Sequence, residues 1–203
     1  MANSKHLAEL KKGIKNWNQW RLENPDIIPD LRKADLRGFD LSFANFRDAK
    51  LVETRFSGAC LHSANLTKAD LSLAVVKKAQ LQNTDMTAVR GLGSDFTEAN
   101  LTGACLHNWN IDLKTSFESV ECDYVYLKRR YGFEFINRCP RDKNFEPGEF
   151  TITFQKASEM TELFFENGMT ELAEYLEKQQ KNSTNEVIAI EEIEPKGDNA
   201  IVV

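Results

Sequence analysis

The chain is short of most features that would mark a chemistry. It has no apolar run near the roughly 18 residues of a membrane span, so no membrane partner is expected. It has no excess of positive charge: 26 Lys and Arg against 31 Asp and Glu give a net charge of −5. Nucleic-acid binding demands a basic stripe, so direct nucleic-acid contact is not expected either. There are four cysteines, Cys60, Cys105, Cys122 and Cys139, and no CxxC pair. Free thiols in a reducing compartment fit that pattern best. Met1 to His6 lacks the apolar core of an export signal, which makes the cytoplasm the expected location. No GxxxxGK(S/T), GxGxxG, HExxH or GxSxG occurs. No catalytic residue, metal site or cofactor is therefore expected, and the chain reads as a non-enzyme.

What is present is a period of five. Apolar residues stand at Leu31, Leu36, Leu41, Phe46, Leu51, Phe56, Leu61, Leu66, Leu71, Val76, Leu81, Met86, Phe96, Leu101, Leu106 and Ile111. One slot in the series is broken, by Gly91. Two residues before most slots sits a small residue, as at Ala34, Ala44, Ala64 and Ala104. Phe39 departs from that rule, as do Thr54, Thr84, Val89 and Ser94. Five fits neither the 3.6 period of a helix nor the 2.0 period of a strand. A short fixed period means stacked units, each needing its neighbours to bury a core.

Written out, the segment contains ADLRG, ANFRD, ANLTK, ADLSL and ANLTG. It resembles the pentapeptide-repeat family, whose motif is A(D/N)LXX. The resemblance implies a mainly β fold: a right-handed, quadrilateral parallel β-helix with one pentad per side and 20 residues per coil, about four coils in all. The central Leu or Phe and the small residue two before it would point inward. Positions 20 apart then stack, as in Leu41, Leu61, Leu81 and Leu101. At Arg90, Gly91, Leu92 and Gly93 the expectation is a local kink or bulge, with Leu92 or Val89 turning inward; the alternative is a protruding interaction loop.

The flanks read as appendages. Residues 4–22 suggest one amphipathic helix capped by Ser4, with Leu7, Leu10, Ile14, Trp17 and Trp20 packing on the first coil. Phe117 to Leu127 reads as a last, irregular coil. Residues 128–149 read as a charged loop. Helices are expected over 149–166 and from Thr170 to about Gln180, then a polar linker. A terminal hairpin is expected, made of Val187–Ile190 and Ile201–Val203. These divisions give a capping helix (1–25), a β-helix (26–127), a helical module (128–181) and a tail (182–203). The layout resembles a cyanobacterial subgroup of the family, through Trp17-Asn18-Gln19-Trp20-Arg21, Trp109-Asn110-Ile111-Asp112, Cys122 to Leu127 and Pro147-Gly148-Glu149-Phe150. In longer relatives the segment around Glu194–Asp198 looks like the start of a further module, expected to be missing here.

Two motifs invite a search for chemistry. Ala-Cys-Leu-His occurs at Ala59–His62 and Ala104–His107. Both Cys and His are expected on the outside, on different sides of the column, so neither a zinc site nor a Cys–His dyad is expected. His6 reads as a solvated residue at a helix start. Asp35, Asp40, Asp70, Asp85 and Asp95 precede core slots and are expected to hydrogen-bond turn backbone.

The resemblance implies two functions. One is a regulatory scaffold that binds an unidentified protein, as a monomer or weak dimer. The other is the DNA mimicry by which some relatives bind gyrase or topoisomerase. Mimicry needs a strongly negative column. Residues 31–112 carry 10 Lys and Arg against 9 Asp and Glu, a net of 10 − 9 = +1, which favours the scaffold.

Overall fold

The computed structural model describes residues 1–130, 134–154, 193–196 and 199–202, the last two stretches by backbone alone. Each pentad is a turn followed by a short straight run. The Ala34 N–H donates to Leu31 O at 3.0 Å, and the same bond recurs from Ala44 to Leu41 and from Ala49 to Phe46. The third residue of these turns is left-handed: φ is 61° at Lys33, 67° at Gly38 and 62° at Phe43. That is the type II signature.

The straight residues pair in parallel with those 20 positions on, as in Asp30, Lys50, Asp70, Arg90 and Asn110. Four such columns begin at Asp30, Asp35, Asp40 and Asn45, and each holds five rungs. The solenoid is thus close to five coils rather than four. The repeat simply continues past Ile111, through Phe117, Cys122 and Leu127.

Fifteen of the sixteen apolar residues of the period are at most 2% exposed. Ile111 is the exception and is half-buried. Small slots filled by polar residues satisfy themselves on the backbone, which removes the cost of a buried hydroxyl. Thr54 Oγ1 donates to Leu31 O at 2.8 Å and Ser94 Oγ to Leu71 O at 2.9 Å. Phe39 is too large for its slot and is 37% exposed. Asp40, Asp70, Asp85 and Asp95 each accept the backbone N–H two residues on, at 3.0–3.1 Å.

Gly91 makes no bulge. Its N–H donates to Asn110 O at 2.7 Å, and the pairing of Asp70, Arg90 and Asn110 runs straight through it. Val89 fills the small slot and is fully buried, while Leu92 is half-buried. The irregularity lies one coil later. Pairing changes from 20 to 21 residues at Asp95 with Ser116, Asn100 with Glu121 and Cys105 with Tyr126. One extra residue therefore sits between Asn110 and Ser116, and it carries Ile111 partly out of the core.

At the N-terminal end there are two helices where one was expected, α1 (Ser4–Lys11) and α2 (Ile14–Glu23). Gly13, at φ 103°, breaks them, and Asn3 rather than Ser4 is the N-cap of α1, accepting from Lys5 N and His6 N. Trp17 is fully buried against Phe46, with ring centroids 5.6 Å apart. Its indole N–H donates to Asn45 O at 3.0 Å. Asn18 brackets the same rung, donating to Phe43 O at 2.9 Å and accepting from Asn45 N at 2.9 Å. Arg21 reaches Ile27 O and Arg47 O. Leu10 is buried, while Leu7, Ile14 and Trp20 are half-buried.

At the other end the stretch read as a loop contains an antiparallel hairpin, β1 (Val125–Arg129) with β2 (Phe135–Cys139). β1 is the last rung of its column, through Cys105 with Tyr126, so β2 extends that sheet by one strand. Helical backbone follows at 149–154, where Phe150 and Phe154 pack against Phe117 and Trp109. The expected helices beyond 154, the linker and Val187–Ile190 lie outside the described residues. The terminal hairpin pairs β3 (Ile193–Lys196) with β4 (Asn199–Val202), so its first strand is later than expected.

Candidate interaction surface

Leu73 takes the left-handed turn position of its pentad, at φ 59°, where its side chain is 56% exposed. Its N–H donates to Leu92 O at 2.8 Å, and its Cδ2 lies only 2.9 Å from where a Cβ on Gly93 would stand. Glycine at position 93 (φ 62°) thus leaves room for Leu73 to lie across the next coil. Gly93 N–H donates to Asp112 Oδ1 at 2.8 Å, and the next residue, Leu113, is 48% exposed. Leu73, Leu92 and Leu113 therefore follow one edge of the column over three consecutive coils, with Arg90 and Lys114 exposed beside them.

The candidate loop Arg90–Gly93 is part of this edge, but as regular turn rather than protrusion. The Asp112 turn is braced from inside: Thr115 Oγ1 donates to Gly91 O at 3.0 Å, and Asp112 N–H donates to Thr115 Oγ1 at 3.2 Å. A shallow cavity of about 340 Å³ runs from Asp112 to Glu118 and is closed by Thr151. A broader groove of about 790 Å³ lies between Val120–Asp123 and Phe145–Ile152. Leu73 and Leu113 went unnoticed in the sequence because both fall in turn positions where polar residues are usual. The six-residue step from Ile111 to Phe117 was the available signal for the brace.

The two Ala-Cys-Leu-His motifs differ. Cys60 is half-buried, and its Sγ lies 3.0 Å from Ser42 Oγ. Cys105, expected outside, is fully buried, with Thr87 Oγ1 at 3.7 Å. Arg129 folds back along this side, its Nε 3.1 Å from Asp85 Oδ2, and both side chains are largely shielded. Burial pushes the Cys105 thiol up, against smaller opposing effects from the His107 backbone and Thr87. Burial also lowers the His107 imidazole, helped by the positive Lys128 and Arg129. A protonated thiol beside a neutral imidazole supplies no thiolate nucleophile. Among the described residues, no group of three or more His, Cys, Asp and Glu is arranged to hold a metal ion.

The family described as Pentapeptide repeats matches residues 30–67, 61–90 and 69–110, in eight copies. No curated protein matches the chain. Among solved structures, one similar chain is a pentapeptide repeat protein of the Arabidopsis thaliana thylakoid lumen. It has 28% identity over 50% of this chain and 69% of that one, with a TM-score of 0.41. A pentapeptide repeat protein of the cyanobacterium Cyanothece has 28% identity over 44% of this chain and 64% of its own, with a TM-score of 0.34. HetL of the cyanobacterium Nostoc, involved in heterocyst differentiation regulation, has 20% identity over 52% and 65%, with a TM-score of 0.21. The match covers just under two thirds of the latter two chains. Residues 30–110 are thus pentapeptide repeats, stacked here as a parallel β-helix.

Proposed function

We propose that this chain, built on pentapeptide repeats, is a non-catalytic scaffold that binds another protein through the Leu73–Leu92–Leu113 edge. The run of exposed leucines carries the reading: Leu73 and Leu113 leave apolar side chains in solvent on one edge, beside half-buried Leu92, which suits a surface that is covered in a complex. Arg90 and the Arg90–Gly93 turn lie within it. We place the chain in the cyanobacterial-type subgroup, with residues 1–25 as cap, 26–127 as solenoid, 128–181 as a helical module and 182–203 as tail. The cytoplasm is its proposed location. Among the described residues no helix is long and apolar enough to cross a membrane.

Electrostatics favour this reading over DNA mimicry. Surface carboxylates are largely neutralised by cations beside them. Asp35 pairs with Arg37 at 2.7 Å and Arg55 at 3.0 Å, Asp95 with Lys77 at 3.0 Å, and Glu98 with Lys78 at 3.2 Å. A phosphate mimic needs the opposite, free negative charge along the column. The test is capture by the tagged full chain from lysate of its source cells, at low and at high salt. A discrete protein retained at high salt fits an apolar contact. Gyrase or topoisomerase subunits captured at low salt and lost at high salt would overturn the scaffold reading.

A further inference from the structure

At the first coil, every side ends in a rung with no further coil below it. On the side that begins at Asp30, an imidazole stands in for the missing coil. The Asp30 N–H donates to His6 Nδ1 at 3.0 Å, and Asp30 O accepts from Asn3 N at 2.9 Å. The two bonds reproduce the donor and acceptor of a neighbouring strand, one supplied by α1 and the other by its N-cap Asn3. His6 is half-buried rather than solvated, and its ring lies 5.2 Å from that of Trp20.

Only a neutral imidazole with its proton on Nε2 can accept at Nδ1. A protonated ring carries N–H at both nitrogens and would set a donor against the Asp30 donor. The break at Gly13 separates the fate of α1 from that of α2. α2 is held independently by Trp17, Asn18 and Arg21, and no atom lies within 4 Å of a Cβ built on Gly13. α1, whose other anchor is the buried Leu10, can therefore loosen while α2 stays.

We propose that His6 is a pH-sensitive latch: its neutral form holds α1 on the first coil, and its protonation releases that helix and bares the Asp30 rung. The rungs at Asp35 and Asp40 already present N–H and C=O groups with no hydrogen-bond partner among the described residues. Release of α1 would extend this edge from two sides of the column to three, open to pairing with a further strand.

The charged groups around the ring set the direction. Burial lowers its proton affinity most, the Asp30 carboxylate opposes this, and Arg21 of α2 adds to it. Asp30 is itself engaged by Arg32 at 2.6 Å and lies near Lys50, which blunts its opposition. The docked imidazole thus binds a proton less readily than the free one, whose ordinary value is 6.5. Docking is at full strength above that value and is lost as pH falls through the lower docked value.

Hydrogen exchange on the full chain between pH 7.5 and 5.5, expressed as protection factors, tests the latch across the range where imidazole titrates. The wild type is expected to lose protection several-fold at Asp30 and at Leu7–Leu10 as the pH falls, while Leu51 is unchanged. His6→Gln, whose amide oxygen accepts at any pH, should keep that protection. An equal loss in both proteins, or none in the wild type, would overturn the proposal. If the variant docks poorly, an NMR titration of wild-type His6 decides instead. The ring shift and the Asp30 protection must then share one midpoint, and separate midpoints would refute the latch.

Discussion

At the residue scale the fold turns on one left-handed position in every five. Gly38 fills it with no neighbour within 4 Å of a built Cβ, so Gly38→Ala meets only backbone strain (φ 67°) and should cost about 1 kcal/mol. Gly103→Ala, at φ 76°, should cost more, because the new methyl also displaces the Asn83 side chain. Thermal melts of the two variants give the comparison, and equal shifts would contradict it. The thiols offer a second check. Burial raises Cys105 and Cys139 and takes Cys122 to about 12, so all three stay protonated at pH 7.5. A thiol reagent should label half-buried Cys60 first; Cys122, also half-buried, should lag because its thiol is raised, and buried Cys105 and Cys139 should react only on unfolding. Rapid labelling of Cys105 would show that Arg129 does not shield it.

At the element scale the ends depend on side chains that imitate missing strands. Asn18→Ala removes one donor and one acceptor from the first rung and should cost about 1–3 kcal/mol in urea denaturation. No loss would mean that water serves that rung equally well. The pentads were legible in the sequence because each repeats one inward Leu or Phe and one Ala. The ends were not. An amphipathic stripe runs across Gly13 without marking the break, since the glycine falls between residues that share a face. The β1–β2 hairpin was hidden by charge: Lys128, Arg129 and Arg138 read as loop residues, yet Arg129 returns to Asp85 and Arg138 stacks 4.2 Å over the Tyr124 ring. The Arg90–Gly93 segment stood out in the sequence yet folds as a regular turn, and its neighbours Leu73 and Leu113 become visible only once coils are stacked.

At the scale of the whole molecule the chain is a stack in which each coil holds its neighbours. Phe56 lies within it, 6.4 Å from Phe46, and Phe56→Ala should cost about 3–5 kcal/mol, read by urea denaturation. A loss under about 1 kcal/mol would mean that the coils are not coupled through this core. The outer surface behaves differently. Apart from Asp85–Arg129 its ion pairs are exposed and screened by solvent, so salt should change stability little. The proposed binding surface is the leucine edge. The most direct measurement is capture of the same protein from source lysate by the wild type and by a Leu73→Ser, Leu92→Ser, Leu113→Ser variant, with melting temperatures taken in parallel. The account predicts that the variant folds and loses the partner. A folded variant that retains the partner unchanged would contradict the claim that this edge is the binding surface.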